Sequence, residues 1–126
     1  MSKKPVFTEK APQPVGPYSQ AVISGDFVFV SGQIAIEPKT SKVIGGRIEA
    51  QTVQVLENIK HILESIDLTL NDVVKTSVFL SNLNDFQTFN LLYSQYFDKN
   101  PPARTTVQAG LMAGVLLEID AIAKIC

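Results

Sequence analysis

The chain has no tryptophan, one histidine (His61) and one cysteine, Cys126 at the last position. A lone thiol excludes a disulfide framework and points to a reducing compartment: the cytoplasm, or an organelle interior such as a mitochondrion. One His and one Cys cannot furnish a zinc site of the usual kind, so no metal is expected. Charged residues make up only 18% of the 126, a low share that leaves room for a buried subunit interface. The 11 Lys and Arg against 12 Asp and Glu give a net charge of -1, and no cationic cluster follows Lys3-Lys4. A protein that grips nucleic acid through phosphates needs a basic patch, so nucleic acid is not an expected partner. No apolar run reaches the roughly 20 residues of a membrane helix. Residues 1–17 lack the apolar centre of a signal peptide. Neither a membrane partner nor a secretory leader is expected.

What is present suits one globular domain over 1–126. Hydrophobic residues reach 45%, and the length allows a sizeable core. Four of the seven prolines fall in residues 1–17, which read as an extended surface arm. A short strand is expected over 19–23, a tight turn at Gly25-Asp26, and a strand over 27–30. The run Phe27-Val28-Phe29-Val30 is continuously apolar, which predicts burial on both faces. Ser31-Gly32-Gln33 ends it, either as a bulged terminus or as a gap with backbone N–H groups for a ligand. Residues 36–46 read as a loop. A helix over 47–66 follows from Val55, Leu56, Ile59, Ile62, Leu63 and Ile66. His61 lies beside that stripe and reads as a boundary residue. A strand over 73–80 precedes Ser81–Asp85, where Asn84 or Asp85 is the expected N-cap. A second helix over 86–98 carries Phe86, Phe89, Tyr93 and Phe97, an aromatic stripe that reads as core. Asn90 on it faces either solvent or a cleft.

The last quarter, 101–126, carries the chemistry. Pro101-Pro102 bar a helix, and Thr- and Val-rich residues 103–109 suit a strand. Alternation places Arg104, Thr106 and Gln108 on one face. A second strand over 115–125 places Leu117, Ile119, Ala121, Ala123 and Ile125 on one face, with Glu118 and Asp120 on the other. If a turn near Met112-Ala113 folds the two strands into a hairpin, Arg104 lies near Glu118 and Asp120. A guanidinium fork gripping a carboxylate, beside a glutamate that activates water, would suit hydrolysis of a small carboxylate-bearing substrate. The same arrangement also reads as a cross-strand ion pair that only stabilises the hairpin.

Strand, strand, helix, strand, helix, strand, strand predicts an α/β (α+β) fold: a single mixed sheet with two helices on one face. The apolar row of the last strand would then need cover on the other face, which a closed oligomer provides by packing sheet on sheet.

The segments GPYSQAV (16–22), VSGQI (30–34), VVKTSVFLSNLNDF (73–86), PPARTTV (101–107) and EIDAIAK (118–124) resemble the RidA (YjgF) family of reactive-intermediate deaminases. The match runs in one register from about residue 12 to 124. The resemblance implies a chorismate-mutase-like fold and a homotrimer with clefts between subunits. It implies cofactor-independent hydrolysis of 2-enamino/2-imino acids, such as 2-aminoacrylate/2-iminopropanoate and 2-iminobutanoate, to 2-keto acids and ammonia. Carried over motif by motif, Arg104 grips the substrate carboxylate, Glu118 positions the water, and Tyr18 lines the cleft. Ser31 and Gly32 lie beside the ligand, and Asn90 reaches in from the neighbouring subunit. Many relatives bear cysteine where this chain has Thr106, so thiol chemistry is not carried over and Thr106 is a binding position. Older family names, L-PSP endoribonuclease and translation inhibitor, give one alternative, and a keto-acid-binding regulator without turnover gives another. The roles of Asp120 and Cys126 stay open; Cys126 is expected to be dispensable.

Overall fold

The computed structural model describes residues 3–125. Its elements are β1 (Lys4–Val6), β2 (Ala21–Ser24), β3 (Phe27–Gln33), β4 (Ile36–Glu37), β5 (Lys42–Val43), α1 (Ile48–Glu64), β6 (Val73–Leu80), α2 (Phe86–Tyr96), β7 (Ala103–Gln108) and β8 (Leu117–Lys124). Six strands form one mixed sheet in the order β1-β2-β3-β8-β6-β7, and β4-β5 form a small hairpin of their own. Among the described residues only β6 and β7 pair in parallel. They are joined through α2, as a parallel pair requires a crossover.

Both helices lie on one face of the sheet. Val28, Val30, Thr76, Val78, Leu80, Leu117, Ile119, Ala121 and Ala123 are buried there, brought side by side by pairings such as Val30↔Ala121 and Val78↔Ile119. Val55, Leu56, Ile59, Ile62 and Leu63 of α1 close over them. Phe89, Tyr93 and Phe97 complete the same core. The two helices and strand β6 fall within two residues of where periodicity and capping put them.

Five expectations need correction. The final two strands are not a hairpin: β8 pairs antiparallel with β6, and β6 separates it from β7. A parallel β6–β7 pair keeps the crossover helix on the core, and the loop 109–116 then carries the chain back across β6. The apolar row of β8 is not the uncovered one, because it is the row the helices bury. Phe27–Val30 is not buried on both faces either: Val28 is sealed in, while Phe29 is 45% exposed. The uncovered face carries Phe27, Phe29 and Val107 instead, so the need for cover stands on different residues. Finally, the arm holds β1, paired with β2, and the loop 36–46 holds the β4–β5 hairpin.

Smaller differences are local. Asn82, not Asn84 or Asp85, supplies the side-chain cap, accepting from the Asn84 N–H at 2.9 Å ahead of a 3-10 turn at Leu83–Asp85. Asp85 is the N-cap residue of α2, one of the two expected, but makes no side-chain capping bond. Gly25 takes φ +59° in the β2–β3 turn, a conformation that favours glycine. Cys126 lies outside the described residues.

Two buried glutamines tie irregular segments to this frame. The Gln20 side chain accepts from the Thr8 N–H at 2.7 Å and donates to the carbonyls of Thr8, Ala11 and Pro12 at 3.0, 3.3 and 2.9 Å. Gln51 on α1 accepts from the Leu116 N–H at 2.9 Å and donates to the carbonyls of Gly114 and Ile44 at 2.8 and 3.2 Å. Buried backbone groups that no ladder satisfies are thereby paired.

The layering predicts a contrast on urea denaturation. Ile119→Ala, at a fully buried position, should cost about 2–5 kcal/mol. Val53→Ala, on the outer side of α1 at 37% exposure, should stay within about 0.5 kcal/mol. Equal losses would contradict the assignment of the core face.

Candidate functional site

Strand geometry decides what Arg104 and Glu118 can touch. Arg104 registers with Thr76 on the helix-covered face. Glu118 registers with Phe79 and belongs to the uncovered face. Two strand spacings, on the order of 10 Å, and the thickness of the sheet separate them. Within one chain they do not meet, which removes the hairpin ion pair together with any single-chain site that uses both.

The sequence-predicted residues instead fall into two clusters. Tyr18, Ser31, Gly32 and Glu118 line a cleft of about 380 Å³, walled by Pro12, Gln13 and Val15 of the arm and by Ile34, Ile36 and Met112. Strand β3 bulges between Val30 and Gln33, which displaces Ser31 and Gly32 from regular pairing. Ser31 Oγ donates to the Ser19 carbonyl at 2.6 Å, so toward a ligand it can only accept. The Tyr18 hydroxyl accepts from the Val15 N–H at 3.3 Å and keeps its own proton free to donate.

Gly32 makes room for the acid. A Cβ there would fall on Oε2 of Glu118, with the carboxyl carbon 2.9 Å away. The φ is ordinary, so the requirement is space and not backbone freedom. Burial pushes the Glu118 carboxyl above the usual glutamate range, and the nearby Asp120 charge pushes it the same way. A raised carboxyl is a better proton acceptor once ionised.

Asn90 and Arg104 line a second cleft of about 360 Å³, with Tyr93, Ser94, Phe97, Pro101 and Pro102. Thr106 shares the Arg104 face of β7, and its Oγ1 is buried without a hydrogen-bond partner. Among the described residues the one contact between a basic and an acidic side chain within 4 Å is His61–Glu57 at 3.8 Å, ionic only when the imidazole carries a proton; neither Arg104 nor Glu118 has a counter-ion among those residues. His61 also meets the Lys10 carbonyl at 3.2 Å, a boundary role. No three His, Cys, Asp or Glu side chains gather as metal ligands among the described residues, and no described helix is long and apolar enough to cross a membrane.

Sequence reading left the role of Asp120 open and missed four other contributors, Val15, Met112, Gln20 and Gln51. Asp120 tunes Glu118, which its place two residues along the same strand face could have suggested. Val15 and Met112 wall the first cleft from irregular segments that carry no periodic signal. Gln20 and Gln51, which hold those segments, look like any polar residues in the sequence.

Comparison with known proteins places this site in context. A family model described as Endoribonuclease L-PSP matches residues 8–125. A RutC family protein of Saccharolobus solfataricus is 53% identical, over 97% of this chain and 98% of that protein. The Reactive Intermediate Deaminase A, chloroplastic, of Arabidopsis thaliana is 42% identical over 99% of this chain and 67% of that protein. The crystal structure of E. coli TdcF with bound serine superposes with a TM-score of 0.92 at 40% identity, covering 98% of this chain and 99% of that one.

The electrostatics of the first cleft give a direct test. Asp120→Asn removes one of the two causes that raise the Glu118 carboxyl, so its midpoint should move down toward the ordinary range. Carbon-13 NMR titration of the glutamate carboxyls reads this. An unmoved midpoint would show that burial alone sets it.

Proposed function

The chain belongs to the endoribonuclease L-PSP family, which includes the RidA/YjgF proteins, and from that premise we propose that it hydrolyses 2-imino acids to 2-keto acids and ammonia. The substrates would be 2-iminopropanoate and 2-iminobutanoate, formed from their 2-enamino tautomers. The observation that carries the reading is the split site: an unpaired guanidinium and an unpaired carboxylate on opposite faces of one sheet, each in its own cleft. One domain folded as described would complete a site by assembly into a homotrimer. The Tyr18–Ser31–Glu118 cleft of one subunit would face Arg104, Thr106 and Asn90 of the partner subunit, and the apolar Phe29 and Val107 face would be covered by the same contact.

The chemistry follows from the groups. The Arg104 fork grips the substrate carboxylate through two hydrogen bonds and fixes the adjacent C=N. Thr106, on the same strand face, packs beside Arg104 and completes the binding side of the cleft. Asn90, from the same subunit, contributes its amide to the substrate. Ser31 accepts from the imine N–H. Glu118 takes a proton from water as its oxygen bonds to the imine carbon and the C=N electron pair moves onto nitrogen. Glu118 returns that proton to the nitrogen, then takes the proton of the new hydroxyl and delivers it to the same nitrogen, so that ammonia leaves as the C=O forms, with Tyr18 donating a hydrogen bond to the nitrogen until its last proton arrives. No metal or organic cofactor enters these steps. The aliphatic Val15, Ile34, Ile36 and Met112 suit a short apolar substituent on the substrate.

Two relatives' names support the reading: a reactive intermediate deaminase and a structure of another member holding serine, a small amino acid. The family's endoribonuclease name suggests RNA, yet the net charge of -1 offers no phosphate track. A keto-acid-binding regulator would use the same clefts without turnover. A cytoplasmic or organellar location completes the proposal.

Turnover decides among these. An amino-acid oxidase generates imines in situ, and competition with semicarbazide reports their hydrolysis. Arg104→Ala should abolish turnover and weaken keto-acid binding, and Arg104→Lys should also be poor because an ammonium lacks the fork. Glu118→Gln should lower kcat by about 10²-fold or more while keto-acid binding survives. Wild-type turnover should fall as pH drops through the raised Glu118 midpoint, since only the ionised form is a base; Asp120→Asn should carry that acid limb to lower pH. Near-normal turnover in folded Arg104→Ala would sink the assignment.

The shared cleft has its own test. Arg104→Ala and Glu118→Gln subunits, each nearly inactive, should regain activity when unfolded together and reassembled. About one cleft in four would then carry both native halves. No recovery in a correctly sized mixed oligomer would exclude a site shared between subunits.

A further inference from the structure

An arginine that must present its fork in one direction needs something to hold it, and Arg104 has no carboxylate among the described residues to do so. Its guanidinium carbon lies instead over three rings: 4.8 Å from the centroid of Tyr93, 5.6 Å from Phe89 and 5.7 Å from Phe86. All three fall within cation–π reach. They occupy one face of α2, and the neighbouring rings brace one another, Phe89 with Tyr93 at 5.4 Å and Tyr93 with Phe97 at 4.6 Å. Tyr93 is anchored further, its hydroxyl bonded to Thr76 Oγ1 at 2.8 Å. Thr76 is the residue that registers with Arg104 across the β6–β7 ladder. The ring nearest the guanidinium is therefore fixed to the strand beside its own. A guanidinium is planar and weakly hydrated, so aromatic faces can hold it where a lysine ammonium would be left poorly solvated.

We propose that the aromatic stripe of α2, Tyr93 above all, is the positioning element of the anion site. The rings fix the plane of the Arg104 fork and leave its N–H edge for a substrate carboxylate. The stripe thus serves the core and orients a charge with the same side chains. The identity of the anion rests on the hydrolase reading above; the cradle itself does not.

The chain has two arginines, Arg47 and Arg104, so their side-chain Nε–H signals are readily told apart by NMR with Arg104→Lys as the assignment control. Ring currents should shift the Arg104 signal upfield of Arg47, and Tyr93→Leu should move it back. Tyr93→Leu should weaken pyruvate binding and raise KM for oxidase-generated imines by about 2- to 30-fold, the span of cation–π contacts, with kcat changed less. Tyr93→Phe keeps the ring and should restore most of the affinity. If Tyr93→Leu does not fold, Phe86→Leu at the partly exposed rim should give the same shift and a smaller loss. Coincident Arg signals in the wild type would overturn the cradle. So would a lowered melting temperature with pyruvate affinity and KM unchanged. A wild type that binds pyruvate but turns over no imine would sink the hydrolase reading alone and leave the cradle standing.

Discussion

A side chain on a strand addresses one face of its sheet, and most of what is distinctive here follows from that constraint. Because β6 pairs in parallel with β7 and antiparallel with β8, it stands between the two strands that carry the ionic chemistry. Arg104 is turned toward the helices and Glu118 away from them. Neither finds a counter-ion among the described residues, although each is partly removed from water. A fold that merely needed stability would pair such charges or leave them fully hydrated. Keeping both unpaired, each in a cleft, is the physical basis for reading them as parts of a site completed from outside the chain.

The first cleft shows how tightly space and charge are linked. The β3 bulge carries Ser31 and Gly32 past the carboxyl of Glu118, and only hydrogen at Gly32 leaves the acid its position. The Asp120 charge then acts on that acid from the same strand face. Glycine here has nothing to do with a turn; it is the absence of a methyl group beside a proton acceptor.

How far the chain could be read in advance depends on whether a feature is local. Helices and β6 were legible because periodicity and capping are properties of neighbouring residues, as with Val55, Ile59 and Ile62. Alternation along 103–109 grouped Arg104 with Thr106 correctly. Partnering was not legible: nothing in PPARTTV or EIDAIAK says that a third strand, 73–80, lies between them. The hairpin expectation followed from chain adjacency, and the crossover through α2 defeated it. The aromatic stripe was read correctly as core, yet its contact with Arg104 depends on the parallel register, which periodicity does not encode. Spacing and strand ends single out Arg104, Glu118, Ser31, Gly32 and Asn90 as candidates; the family resemblance adds Tyr18 and Thr106, and the structure sorts these candidates into two clusters.

Both irregular walls of the first cleft, the arm through Pro12 and the loop before Leu116, hang on glutamine amides: Gln20 and Gln51. An amide carries no charge at any ordinary pH and is little affected by salt, so these walls should keep their shape while Glu118 between them titrates. That neutrality is also a requirement at position 20. Deamidation of Gln20 would turn a donor to three backbone carbonyls into a carboxylate aimed at them. The arm would be pushed off the cleft by a single atom exchange, with no change in residue volume to betray it.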